Sequence, residues 1–347
     1  MSVTPLMSAD RVANLVRFGY TDTEGSFLCV AALHGGYFLR RQVAHGLKCQ
    51  DGATVTRLAQ KVLALEHARS STWRQNVHLY HLFARPFYDA IGERNNRNRR
   101  EHQLAQIKNR IMGLDYVLAH PEHRYLATER EKIDYFVGQL NVDVTHLPAK
   151  QFVSATGKEC TTRYFIDKYP LFVAPVPQSG RPDRAGFCFV DEGLVGLSHF
   201  ETYLDQYRDL FAVLPAFDLI YVAATNRHFA GARATFERFC GGNSGASRTA
   251  SSQNTENLLA YFHLRQRFER RELAGFDRNQ LIRLRDGRNA FSHPEIEALY
   301  RTWTRIGDAG IQSQLHAGEH NTTTIHGSFS TERLTYDYDL FGTTWPR

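Results

Sequence analysis

Thr54, Arg57, Gln60 and Lys61 recur at spacings of three and four residues, which gather side chains on one side of a helix. Val55, Leu58, Val62 and Leu65 take the opposite side. A guanidinium pairs with the two acceptors of guanine, and a carboxamide matches the donor and acceptor of adenine. Such a face is chemically suited to reading base edges in a major groove. Arg40 and Arg41 precede this stretch, and Arg69, Trp73 and Arg74 follow it, where they could hold phosphates. An amphipathic helix with a merely solvated basic side would carry the same pattern.

A second set is acidic. Asp167 ends one extended segment and Asp191-Glu192 ends another. Two carboxylates at strand ends, with a nearby lysine, are what a Mg²⁺-dependent nuclease requires. Lys168 beside Asp167 is the only lysine close in sequence, and the acid-x-Lys spacing is missing: Gly193 and Leu194 stand where it would fall. Acids that simply cap or turn a strand end would look alike. If these four act, Mg²⁺ is the implied cofactor; otherwise neither a cofactor nor a metal site is expected.

Other chemistries find no support. There is no GxxxxGK[ST] loop and no GxGxxG after a strand, which removes the usual phosphate cradles. The five cysteines form no CxxC pair, and the 16 histidines include no HExxH. His120-Pro121-Glu122-His123 reads as a short polar loop, and His78 and His81 as hairpin and core residues. No apolar run approaches the roughly 20 residues that span a bilayer. No secretory signal is recognisable, so a cytoplasmic protein without a membrane partner is expected.

The elements that must position these residues follow from periodicity. Ser26–His34 is an apolar helix closed by Gly35-Gly36, and residues 38–47 form a second helix. Asp51-Gly52 marks a turn before the helix at 53–66, and residues 69–76 separate two short stretches that could pair as a hairpin, the second being Val77–Leu82. A long helix spans about 100–119, and Thr128 with Glu131, then Ser198 with Glu201, have capping-box spacing. Extended segments lie near 162–166, 171–173 and 186–190. The continuous apolar run at 217–224 predicts a strand covered on both faces, followed by a helix at 227–239. Beyond the Gly- and Ser-rich stretch 241–254, residues 255–273 and 294–306 look helical.

The predicted architecture is therefore mixed α/β. A winged helix-turn-helix occupies 1–92, a nuclease-like α/β domain 100–240, and a mostly helical C-terminal region and tail 255–347. Residues 93–100 and 241–254 serve as linkers. Positive charge concentrates at the front: residues 1–125 hold 17 Lys and Arg against 10 Asp and Glu, a surplus of seven in a chain whose net charge is +6. That placement points to a polyanionic partner for the N-terminal part.

The segments Gly36–Gln42, Leu58–Leu65 and Val77–Leu82, with the block Phe189–Thr225, resemble the replication-relaxation family of bacterial mobile elements. The resemblance covers roughly residues 25–240. It implies a winged helix ahead of a restriction-endonuclease-like domain, associated with plasmid or integrative-element replication. The family's acid two positions before the Asp matched by Asp191 is here Phe189, so the resemblance implies a DNA-binding protein on a nuclease-like scaffold. Duplex DNA is the expected partner, with homodimerisation as an option. An active nuclease in phage defence, or an adaptor that assembles through its winged helix, are the alternatives.

Overall fold

The computed structural model describes residues 9–73, 77–153, 160–167, 169–174, 184–193, 196–241, 246–270, 272, 276–291, 294–318, 325–336 and 338. The chain divides into two compact units, one formed by 1–240 with 325–347 and the other by 241–324.

The first unit opens with helices α1 (Ala9–Val16) and α2 (Asp22–His34). Thr21 and Glu24 form a reciprocal capping box at the start of α2, which is buried nearly all round. Strand β1 (Tyr37–Leu39), helix α3 (Arg40–Gly46) and helix α4 (Ala53–Ala64) follow. Strands β2 (Ala68–Thr72) and β3 (His78–Leu82) form an antiparallel hairpin, with β1 pairing on the other side of β3. α4 buries Val55, Leu58, Ala59 and Val62, the stripe its periodicity predicts. Helix α5 (Arg85–Ala90) closes this part, with Pro86 in its first turn.

The polar stretch expected to be a linker is instead an internal strut. Asn98 is fully buried; its amide donates to the carbonyls of Ala32 and Leu33 at 2.8 and 3.1 Å. Arg110 donates to Asn98 Oδ1 at 2.7 Å and to the Gly35 carbonyl at 2.9 Å. Gly36 sits at φ +79° against the Asn98 carbonyl, where a Cβ would strike backbone. Composition conceals this, because a single buried amide satisfies several main-chain groups without any apolar residue. One hydrophobic core accordingly runs from Leu15 to Tyr338, and the expected boundary at 93–100 does not divide it.

Helix α6 (Leu104–Ala119) leads into a five-stranded sheet of order β10-β9-β8-β7-β4. Its strands are β4 (Arg124–Tyr125), β7 (Leu171–Ala174), β8 (Arg184–Asp191), β9 (Phe217–Ala223) and β10 (Gly327–Arg333). β4, β7 and β8 are antiparallel neighbours, whereas β8, β9 and β10 run parallel. Between β4 and β7 come helix α7 (Glu129–Ile133) and the hairpin β5 (Ala149–Val153) and β6 (Cys160–Tyr164). The expected capping box at Thr128 and Glu131 is formed.

Because side chains alternate along a strand, the sheet has two apolar faces. Phe172, Cys188, Val190 and Val222 join the core that α6 shares with the N-terminal elements. Phe187, Phe189, Leu219 and Tyr221 face a second core under α8 (Ser198–Gln206), α9 (Arg208–Val213) and α10 (Phe229–Cys240). Coverage on both sides explains the apolar run at 217–224. Ser198 begins α8 as a helical residue, with Leu197 in the cap position, so the second expected capping box is not formed.

Residues 327–333, expected in a helical C-terminal region, form edge strand β10. Alternating Ser and Thr in GSFSTER hide its strand character, since it buries little on either face. The second unit is helical: α11 (Ala246–Glu269), α12 (Arg278–Ala290) and α13 (Pro294–Gly318) pack Phe262, Leu284, Tyr300, Trp303 and Ile311 together.

Candidate functional site

α4 presents Thr54, Arg57 and Gln60 outward, all exposed and without a hydrogen bond or ion pair among the described residues. Lys48 and Gln50 are exposed at the preceding turn. Beside the helix, β2 is buried only at Ala68 and exposes Arg69, Ser70, Ser71 and Thr72. Arg69 pairs with Glu101 at 2.7 Å, but both side chains are largely in water, where such a pair holds weakly.

The remaining expected DNA contacts fare differently. Arg41 is turned inward, its guanidinium donating to both carboxylate oxygens of Asp115 at 2.5 and 2.8 Å. Asp115 is buried and also accepts from Gln42 Nε2 at 2.9 Å and the Tyr338 hydroxyl at 2.6 Å. Tyr336 lies under the same guanidinium at 3.8 Å. Arg41 is therefore a tie between α3, α6 and the C-terminal segment rather than a phosphate ligand.

Lys61 donates to Glu24 at 2.6 Å and to the Gly19 carbonyl at 3.2 Å, fastening α4 to the start of α2. Arg40 bridges Asp51 at 2.6 Å and Thr56 Oγ1 at 3.0 Å, bracing the α3–α4 turn. Trp73 is buried and donates its indole N–H to Ser71 Oγ at 3.0 Å, so it anchors the hairpin from inside. Arg74 lies outside the described residues.

The acidic set lies at strand ends of the five-stranded sheet. Register places Leu171 opposite Phe187, and Cys188 N–H donates to the Pro170 carbonyl at 3.0 Å. Asp167, before β7, and Asp191, ending β8, therefore belong to one edge of the sheet. Both are engaged: Tyr207 donates to Asp167 and Tyr221 to Asp191, each at 2.6 Å. Burial raises both phenol pKa values, so they remain donors. Asp191 also accepts from Gly193 N–H at 2.8 Å. Lys168 lies outside the described residues.

Sequence spacing missed the basic partners of this edge. A hollow of about 490 Å³ opens at the carboxyl ends of β8, β9 and β10, lined by Asp191, Glu192, Lys108, Arg227, His228 and Arg333. That end of parallel strands is where open α/β sheets commonly receive ligands. Lys108 comes from α6 and Arg333 from β10, both remote in sequence, so no local motif could have signalled them.

The 120–123 loop is more than the short polar loop its sequence suggests. His120, Glu122 and His123 bring one ligand atom each within 4.8 Å of one another. It is the only such group of three or more His, Cys, Asp or Glu among the described residues; Asp167, Asp191 and Glu192 do not form one.

None of the described helices is long and apolar enough to cross a membrane. Comparisons with protein-family profiles, curated proteins and solved structures return no match.

Proposed function

We propose that the protein binds duplex DNA through α4, as the resemblance to the replication-relaxation family implies. The outward side of α4 supports it: Thr54, Arg57 and Gln60 stand exposed and uncommitted among the described residues, on a helix whose other side buries Val55, Leu58, Ala59 and Val62. Helix, turn, helix and exposed hairpin follow one another as in a winged helix-turn-helix, with the second helix available to a major groove. Arg57 and Gln60 supply donors for base edges, and Lys48 and Arg69 flank them for phosphates.

Fluorescence anisotropy on labelled duplexes tests this directly. Arg57→Ala should weaken specific binding by about 1–3 kcal/mol, a loss of roughly fivefold to 150-fold, if it makes a bidentate base contact. Gln60→Ala should relax sequence preference. Affinity for every duplex left unchanged by both substitutions would end the assignment.

A second reading attaches to the strand-end hollow, where Lys108 lines the same space as Asp191 and Glu192. A Mg²⁺-dependent nuclease would need Asp191 released from Tyr221. Plasmid nicking with Mg²⁺ that is lost in Asp191→Asn supports it, and an inert wild type removes it.

A further inference from the structure

We propose that His120, Glu122 and His123 form a binding site for a divalent transition ion of the zinc class, with Glu332 orienting His120 from behind.

The donor set fits that chemistry. Two imidazoles and one carboxylate suit zinc and its neighbours better than Mg²⁺ or Ca²⁺, which favour oxygen donors. Ligand atoms at about 2.0–2.1 Å from a tetrahedral ion stand roughly 3.3–3.5 Å apart. Here His120 Nδ1 lies 3.2 Å from Glu122 Oε1, and His123 Nε2 lies 3.8 Å from the same oxygen. Those separations bracket the requirement and need only side-chain adjustment.

Two independent features point the same way. A metal-bound histidine usually donates its other ring N–H to a carboxylate, which fixes tautomer and orientation. His120 Nε2 meets Glu332 at 2.9 and 3.0 Å, leaving Nδ1 on the side of Glu122 and His123. Glu332 arrives from β10, more than two hundred residues along the chain. Second, His123 is held in place without any hydrogen bond to its ring among the described residues. Its Nδ1 is buried and unpaired, and its Nε2 is too far from Glu122 to bond. An ion at Nε2 would take that nitrogen's lone pair, with the ring proton on Nδ1.

The fold builds the position from below. His120 caps α6, and the His123 ring stacks on Phe172 at 3.9 Å and 6°. Phe172 lies across β8 only because residue 186 is glycine; a Cβ there would enter its ring. His120 and His123 rings are nearly parallel at 13°, with Tyr116 against His120. Glu122 is half-exposed, so the site is open to solvent on one side and leaves a coordination position for water. Bound metal would fasten the end of α6, through Glu332, to the strand that completes the sheet.

The test uses the full chain stripped with a chelator, then titrated with Zn²⁺ against a chromophoric competitor. One equivalent should bind, with affinity reduced at least tenfold in Glu122→Gln and His123→Ala, and tenfold to a hundredfold in Glu332→Gln. Glu122 is exposed enough that its variant retains the fold, which circular dichroism checks. Co²⁺ loading should give the intense visible bands of a four-coordinate site, abolished in His123→Ala. Absence of stoichiometric uptake, or equal affinity in wild type, Glu122→Gln and His123→Ala, would overturn the proposal.

Discussion

Replacing Asp115 with alanine should destabilise the first unit by about 3 kcal/mol. The carboxylate accepts two hydrogen bonds from Arg41, one from Gln42 and one from Tyr338, and its side chain is 2% exposed. Removing one partner of a buried ion pair costs about 3–5 kcal/mol, because the other charge stays behind without compensation. The Arg41 side chain is 26% exposed, so water takes up part of the loss and the lower end applies. For a unit of this size each kcal/mol moves the melting temperature by about 2–4 °C, giving a fall of roughly 6–12 °C. Calorimetry measures it, and a cycle with Arg41→Met should recover about 1–3 kcal/mol of coupling. Anisotropy supplies the functional arm: Arg41→Ala should lose stability yet keep the salt dependence of DNA binding, whereas Arg57→Ala should do the reverse. A loss under about 1 kcal/mol in Asp115→Ala, or a flatter salt slope in Arg41→Ala, would refute the internal role of Arg41.

His81 is buried between Tyr37 and Asn98, and burial depresses its pKa from 6.5 to about 4. The unfolded chain therefore binds the proton more readily, and stability present above pH 6.5 should decline by about 3 kcal/mol as pH falls to 4. Urea unfolding of wild type and His81→Gln should show that part of the acid sensitivity absent from the variant; parallel profiles would contradict it. Gly186→Ala places a methyl against the Phe172 ring and should cost about 1–3 kcal/mol, measured by the same unfolding. Gly327 lies against Phe236 of α10, the helix that ends at Cys240, so the first unit's chain breaks off and resumes on neighbouring elements. Replacing the 241–324 unit with a short Gly/Ser linker should leave a soluble fold that melts within a few degrees of the intact protein; aggregation or loss of the transition would show that the first unit depends on it.

Periodicity made the local elements legible. α4, β3, β8 and β9 fall where apolar spacing predicts them, because each buries a regular stripe or a continuous run. Elements that bury little were not legible. β10 alternates Ser and Thr at an edge, and α12, RNQLIRLRDGRNA, contributes Leu284 to its core while Leu281 and Ile282 stay exposed. Candidate site residues were harder still, since their assignment depends on long-range partners. Arg41 and Arg57 are the same residue type in similar amphipathic helices. What separates them is Asp115, 74 positions from Arg41. Likewise His120 looks like loop polarity until Glu332 is folded back against it.

The same internal ties set the salt dependence of the proposed DNA interaction. A charge surplus counts cations without their partners. Arg40, Arg41, Arg57, Lys61, Arg69 and Arg74 would together bring six positive charges against the duplex, whether at base edges or at phosphates, and each cation that displaces a counterion contributes about −0.9 to the slope of log K against log salt. That set predicts a slope near −5 for one chain. Asp115 and Glu24 remove Arg41 and Lys61, and Asp51 draws Arg40 into the turn. Among the described residues, Lys48, Arg57 and the weakly held Arg69 are left around α4. Three contacts give a slope of about −3 for one chain on one half-site, and near −5 for two chains on a symmetric site. Salt titration paired with sedimentation, which counts chains per duplex, separates these cases. A single chain with a slope near −5 would mean that the internal ties open on DNA, and that the cations of α3 and α4 act as the sequence alone suggests.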